Sequence, residues 1–338
     1  MDTTEFMLQL ARSLITERKI TESSANAYIK VLYAMNDKKA FKNLTFLKAV
    51  DAIDTKIKTY AESTQRAITA SIVSVLSLYK DKATFKKPYE HFYAEMMKGT
   101  KEANAEAGKN EKTETQKTNW ISWADVEKKK RELVEEVEKF KDAPELKVRE
   151  YETLLQLLVL SLYTDIAPRR NQDYLDMYIV KKHNAKMPTD KNYLDVASKK
   201  FIFNKYKTAK KYGAQTEEIP ATLFERIELY LSKHPLWKAG RKGTAPIKFL
   251  VTAGGEPIVA LNAITRILNK IFDKKIGATM LRHIYISDKF GNTLEDMKKT
   301  ATGMGHSLNV QRDYIKKDNE PYLEISPIAP LPPAPPAE

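Results

Sequence analysis

Residues 277–314 read GATMLRHIYISDKFGNTLEDMKKTATGMGHSLNVQRDY. Arg282 stands in an apolar helical context, Met280-Leu281-Arg282-His283. Met304-Gly305-His306-Ser307 follows, and Tyr314 comes eight residues after His306. Each of these side chains has its own chemical reach. A guanidinium stays protonated at any physiological pH and donates parallel hydrogen bonds to oxyanions. An imidazole gains or loses a proton near neutrality. A phenol, with its pKa near 10, becomes a nucleophile when its proton is removed. A lone Arg, His or Tyr would carry little information, but the three in this order and spacing carry a good deal.

The set resembles the catalytic C-terminus of the tyrosine recombinases, the phage-integrase family, whose catalytic fold is shared with type IB topoisomerases. In that family an H/K-x-x-R-H box is followed by L/M-G-H-S and then by the nucleophilic tyrosine. The resemblance covers roughly residues 145–315. Its Arg-Arg and Met-Gly-His-Ser contexts look like the integrases of large DNA viruses and virophages more than like bacterial chromosome-dimer resolvases.

The resemblance implies roles for particular residues. Tyr314 would attack the phosphorus, with Tyr322 as the fallback. Arg282 and a second arginine would bind the nonbridging oxygens. That second arginine should follow a long buried helix in an R-x-x-E/D step, which Arg170 and Asp173 satisfy, with Arg169 the neighbouring alternative. Asp173 would orient the site. Lys207, in NKYKTAKKYGAQTEEIP, would sit on a β-hairpin and protonate the departing 5′ oxygen; Lys205, Lys210 and Lys211 compete for the role. His306 would donate to a nonbridging oxygen or help deprotonate Tyr314. Two positions depart from the family. Thr279 replaces the usual His or Lys three residues before Arg282, and the His-to-Tyr spacing is one residue short. His283 lies about 100° round the helix from Arg282 and is not a simple substitute for that missing group.

Composition agrees with a polyanionic partner. The 338 residues carry a net charge of +13 with 30% charged and 42% hydrophobic residues, which favours nucleic acid over an anionic membrane surface. There are no cysteines, which excludes disulfides, thiolate metal sites and a Cys nucleophile. No apolar run approaches the roughly 20 residues of a membrane span. The N-terminus lacks the pattern of a signal peptide, so the protein is expected inside the cell, nucleus or cytoplasm being left open.

The pattern along the chain divides it into four parts. Residues 1–98 read as successive amphipathic helices, among them Phe6 to Ile15, a Thr21- or Ser23-capped segment, a Leu47-to-Ile57 stripe and AITASIVSVLSLY. Residues 99–117 hold no large apolar residue and read as a solvated linker or an extension of the preceding helix, and as the domain boundary. Residues 118–315 open on Trp120 and Trp123, expected as packing anchors. They continue through a helix almost uninterruptedly apolar from Leu154, short strands in YLDMYIV, NYLDVA and KKFIFNKY, and helices at 258–272, 278–289 and 293–301. Residues 316–338 include six prolines from 326 onward, which suit an extended tail.

The expected fold class is therefore mainly α with a small antiparallel β-sheet (α+β), a helical core-binding bundle preceding a tyrosine-recombinase catalytic domain. The expected function is site-specific recombination or integration through a 3′-phosphotyrosyl intermediate, without metal or cofactor. Its partners would be double-stranded DNA and, in synapsis, three further copies of the chain. A type IB topoisomerase-like activity and a catalytically silent DNA-binding protein of the same fold are the alternatives.

Overall fold

Threonines start the first two helices. In α1 (Glu5–Thr16) and α2 (Glu22–Met35), the hydroxyls of Thr4 and Thr21 accept from the backbone N–H groups of Met7 and Ser24. Each satisfies a donor that the helix cannot. The computed structural model describes residues 3–237, 246–305, 307 and 308. They form two compact units, Met1–Lys112 and Thr113–Glu338.

The first unit continues with a 3-10 turn (Thr45–Lys48), α3 (Val50–Ile57), α4 (Glu62–Leu76) and α5 (Ala83–Gly108). Its core gathers Leu10, Leu14, Leu32, Leu47, Ile72 and Phe92. The polar stretch 99–117 extends the preceding helix and holds the division between the two units. α5 runs on to Gly108, and a new helix, α6 (Glu114–Asn119), begins after Thr113. Alanines and glutamates at 102–107 are good helix formers and need no apolar partner to extend an established helix. Thr113 and Gln116 then form a capping box that starts α6.

In the second unit α7 (Trp123–Glu138) starts three residues after Trp120, because Ser122 and Asp125 close another capping box there. Both tryptophans pack against the hydrophobic core. α8 (Val148–Ser161) is almost continuously apolar from Leu154 because α7 covers one side, and α11 (Ala221–Lys233) and α12 (Ala263–Phe272) cover others. Between α8 and α11 the chain forms α9 (Asn171–Leu175), β1 (Met177–Val180), β2 (Asn192–Asp195), β3 (Lys200–Phe203), α10 (Ala209–Tyr212) and β4 (Gln215–Glu218). β5 (Ile247–Lys248) precedes α12, and α13 (Ala278–Gly303) follows it.

The sheet corrects the expectation of an antiparallel one. Its order is β4-β3-β2-β1-β5, and β1 pairs with β2 in parallel, Met177 opposite Asn192. Residues 181–191 return the chain to the start of the sheet, which a parallel pair requires and a tight turn could not do. Tyr174 and Leu175, expected in the first strand, belong to α9.

α13 is a second correction. The helices expected at 278–289 and 293–301 are one continuous helix through Gly291. A glycine inside a helix costs about 1 kcal/mol relative to alanine, too little to stop one flanked by good formers. The stop comes at Gly305, whose φ of +74° few other residues adopt.

Three helical segments meet at Asp165, just past α8. Its carboxylate, 7% exposed, accepts from Lys130 of α7 at 3.0 Å and pairs with Arg226 of α11. Removing this buried carboxylate leaves Arg226 without its partner and Lys130 with Glu127 alone, at 2.7 Å. Asp165→Ala should therefore cost about 3 kcal/mol of unfolding free energy. All three tryptophans lie in this unit, so urea unfolding followed by Trp fluorescence reads it alone. An unchanged midpoint would refute the role of Asp165.

Candidate functional site

Two adjacent arginines after α8 meet opposite fates. Arg169 turns inward. Its Nε donates to Asp173 Oδ2 at 3.1 Å, its Nη1 donates to Gln215 Oε1 at 3.1 Å, and Glu217 lies 3.9 Å away. The guanidinium stacks 3.8 Å over the Phe203 ring and 5.3 Å from that of Tyr206. It thereby fastens the β3–β4 hairpin onto α9. Burial pushes the carboxyls of Asp173 and Glu217 up, and Arg169 opposes both shifts.

Asn192 makes the same connection through neutral groups. Fully buried at the start of β2, its Nδ2 donates to the carbonyls of Asp173 and Lys205, both at 2.9 Å, and its Oδ1 accepts from the Lys205 N–H at 2.8 Å. Asp173 therefore does not orient Arg170 through its side chain, as the R-x-x-D step implied. It pairs with Arg169, and only its backbone N–H bonds to the Arg170 carbonyl, at 3.0 Å.

Arg170 precedes the first turn of α9 and lines a cavity of about 570 Å³. Arg282 lines the same cavity from the second turn of α13. Between them runs a hydrogen-bonded chain: the buried Tyr163 hydroxyl donates to Asn171 Oδ1 at 2.8 Å, and Asn171 Nδ2 donates to Thr265 Oγ1 at 3.1 Å. Arg282 also lies close enough to Tyr163 to oppose the upward push that burial gives its phenol.

Gly277, at the start of α13, lets that helix approach Thr265. A Cβ there would stand 3.1 Å from Thr265 Cγ2, tighter than most such contacts. Thr279, Lys275 and His283 complete this wall. α6 supplies the opposite one with Thr113, Thr115 and Gln116, held by a 3.0 Å bond from the Lys275 N–H to Asn119 Oδ1. No carboxylate among the described residues lines the cavity. Three permanent or near-permanent cations facing one space with no acid among them favour an anion.

The five residues singled out from the sequence are thus distributed unevenly. Arg170 and Arg282 come together. Lys207 is exposed in the connection between β3 and α10, beside Tyr206, and does not line the cavity. His306 and Tyr314 lie outside the described residues, as does Tyr322. Met304 ends α13 22 residues beyond Arg282, about 33 Å along an α-helix at 1.5 Å per residue. His283, discounted on helical phase, lines the cavity with Arg282, because the wall is wide enough to include side chains 100° apart. Sequence reading missed Arg169, Asn171 and Asn192 as supports. The one available signal was an asparagine opening a short strand.

The two arginines should separate by experiment. Arg169→Ala strands the buried Asp173 carboxylate and should lower the stability of the second unit by about 3 kcal/mol. Arg170→Ala should leave it within about 0.5 kcal/mol. Equal losses by Trp-monitored urea unfolding would contradict this division of labour.

No family model, no curated protein and no solved structure matches this chain.

Proposed function

We propose that this chain is a site-specific DNA recombinase, of the integrase kind, that cuts and rejoins duplex DNA through a 3′-phosphotyrosyl intermediate. The supporting observation is that Arg170 and Arg282, distant in sequence, line one cation-rich cavity. A planar guanidinium suits the nonbridging oxygens of a phosphodiester, and two of them offset the charge that grows as a fifth oxygen approaches phosphorus. In the proposed step the Tyr314 oxygen forms a bond to phosphorus as the bond to the 5′ oxygen breaks. The tyrosine proton leaves toward His306, and the 5′ oxygen departs as a hydroxyl after taking a proton from Lys207. The ester that remains conserves the bond for rejoining, so neither water nor metal is consumed. Double-stranded DNA is the substrate, and exchange between two duplexes calls for four copies of the chain.

An arginine pair and a tyrosine must meet at one phosphorus. With α13 straight, Gly305 stands far along its axis from Arg282. Cleavage then calls for the 306–314 segment to return along the helix, its nine residues spanning at most about 30 Å when extended, or for its delivery to a neighbouring copy. Thr279 in place of a proton-transferring group, with the His-to-Tyr spacing one residue short, favours a second reading: a DNA-binding protein of this fold that does not cut.

A covalent-adduct assay on denatured protein–DNA mixtures decides between them. Wild type should form the adduct. Tyr314→Phe should form none while binding DNA almost normally, and Arg170→Ala and Arg282→Ala should each slow adduct formation by about 10²-fold. Mixing Arg282→Ala with Tyr314→Phe restores the adduct only if the tyrosine serves a neighbouring copy. Absence of any wild-type adduct on a duplex bearing its site selects the silent reading.

The role of Lys207 has its own test. A thiolate leaves without protonation, so a substrate with sulfur in place of the scissile 5′ oxygen should rescue Lys207→Ala but neither arginine variant. Rescue of Lys205→Ala or Lys210→Ala instead would move the acid along the hairpin.

A further inference from the structure

Among the described residues lining the Arg170–Arg282 cavity, His283 is the one imidazole. Thr279 lies one helical turn before both Arg282 and His283, at i+3 and i+4, so the three share one face of α13. His283 is exposed, and Trp123 of α7 packs edge-on against Tyr285 at 5.4 Å, fixing this part of α13 on the domain. The charged groups that line the cavity with it are Arg282 on its own helix, Arg170 before α9 and Lys275 in the turn before α13. α6 faces the cavity with uncharged side chains, and its Glu114 and Lys117 pair with each other at 2.8 Å. α12 contributes Thr265.

We infer that His283 makes phosphodiester capture by this cavity pH-regulated, its imidazolium adding a third donor beside the two guanidiniums as the pH falls. This rests on the cavity being the phosphodiester site proposed above. Binding a phosphodiester supplies the negative charge that the empty cavity lacks, so anion binding and proton uptake at His283 favour each other. Affinity therefore rises as pH drops through the range in which imidazoles charge. The other described histidines are elsewhere. His91 pairs with Asp54 in the first unit, His183 packs on Tyr193, and His234 is buried under α11 with its charge disfavoured by burial.

The test is fluorescence anisotropy of the full chain with a short duplex lacking terminal phosphates, at constant ionic strength, at pH 6 and pH 8. The phosphodiesters of that probe keep one charge throughout. In a His306→Gln background, affinity should be about tenfold tighter at pH 6, the usual size of one charge-assisted hydrogen bond. His283→Gln should remove that ratio, and His283→Lys should bind alike at both pH values. A His283→Gln variant that keeps the full ratio overturns the inference, provided Arg170→Ala and Arg282→Ala weaken binding. If those two bind like wild type at both pH values, the cavity is not the phosphodiester site, and the functional proposal falls with it.

Discussion

A guanidinium buried against a buried carboxylate holds this site in shape. Arg169 and Asp173 would each be costly alone away from water; together, with Phe203 stacked beneath, they fix the hairpin to α9. The consequence falls on the next residue. With Arg169 committed to packing, the chain turns Arg170 to the opposite side and into the cavity. Asn192 repeats the constraint with hydrogen bonds to the backbone on both sides, so the hairpin base is set even where charge contributes little.

The cavity itself is organised by hydrogen bonds that carry no net charge. Tyr163, Asn171 and Thr265 link the end of α8 to α9 and α12, and Gly277 allows α13 to close against Thr265. Neutral supports beneath cationic side chains leave the positive field unopposed, whereas a carboxylate at Asn171 would have neutralised part of it. The charges thus come from residues that reach into the space, and the positions come from residues behind them.

Much of this was legible in the sequence, for identifiable reasons. Helix α8 announced itself by continuous apolarity, α2 by Thr21, and the cavity's two arginines by their context after a buried helix and within Met280-Leu281-Arg282-His283. The roles of Arg169 and Arg170 were not separable, since adjacent arginines differ only in what they meet after folding. Asp173 was matched to the wrong arginine because an i+3 step counts residues along the backbone, while the ion pair follows side-chain direction, at i+4. The parallel pairing of β1 and β2 was hidden in a connection without secondary structure of its own. The unbroken α13 was missed because a glycine reads as punctuation, although its cost is small against the helix on either side.

α13 is also a lever. Its first turns are held by the core and by the Trp123–Tyr285 contact, and beyond them the rod runs to Gly303. Over about 33 Å of helix, a tilt of about 10° at the base carries the tip through about 6 Å, the span of a whole side chain. Small changes in how α7 seats Tyr285 are therefore magnified at Met304, at the doorstep of the histidine and tyrosine that follow.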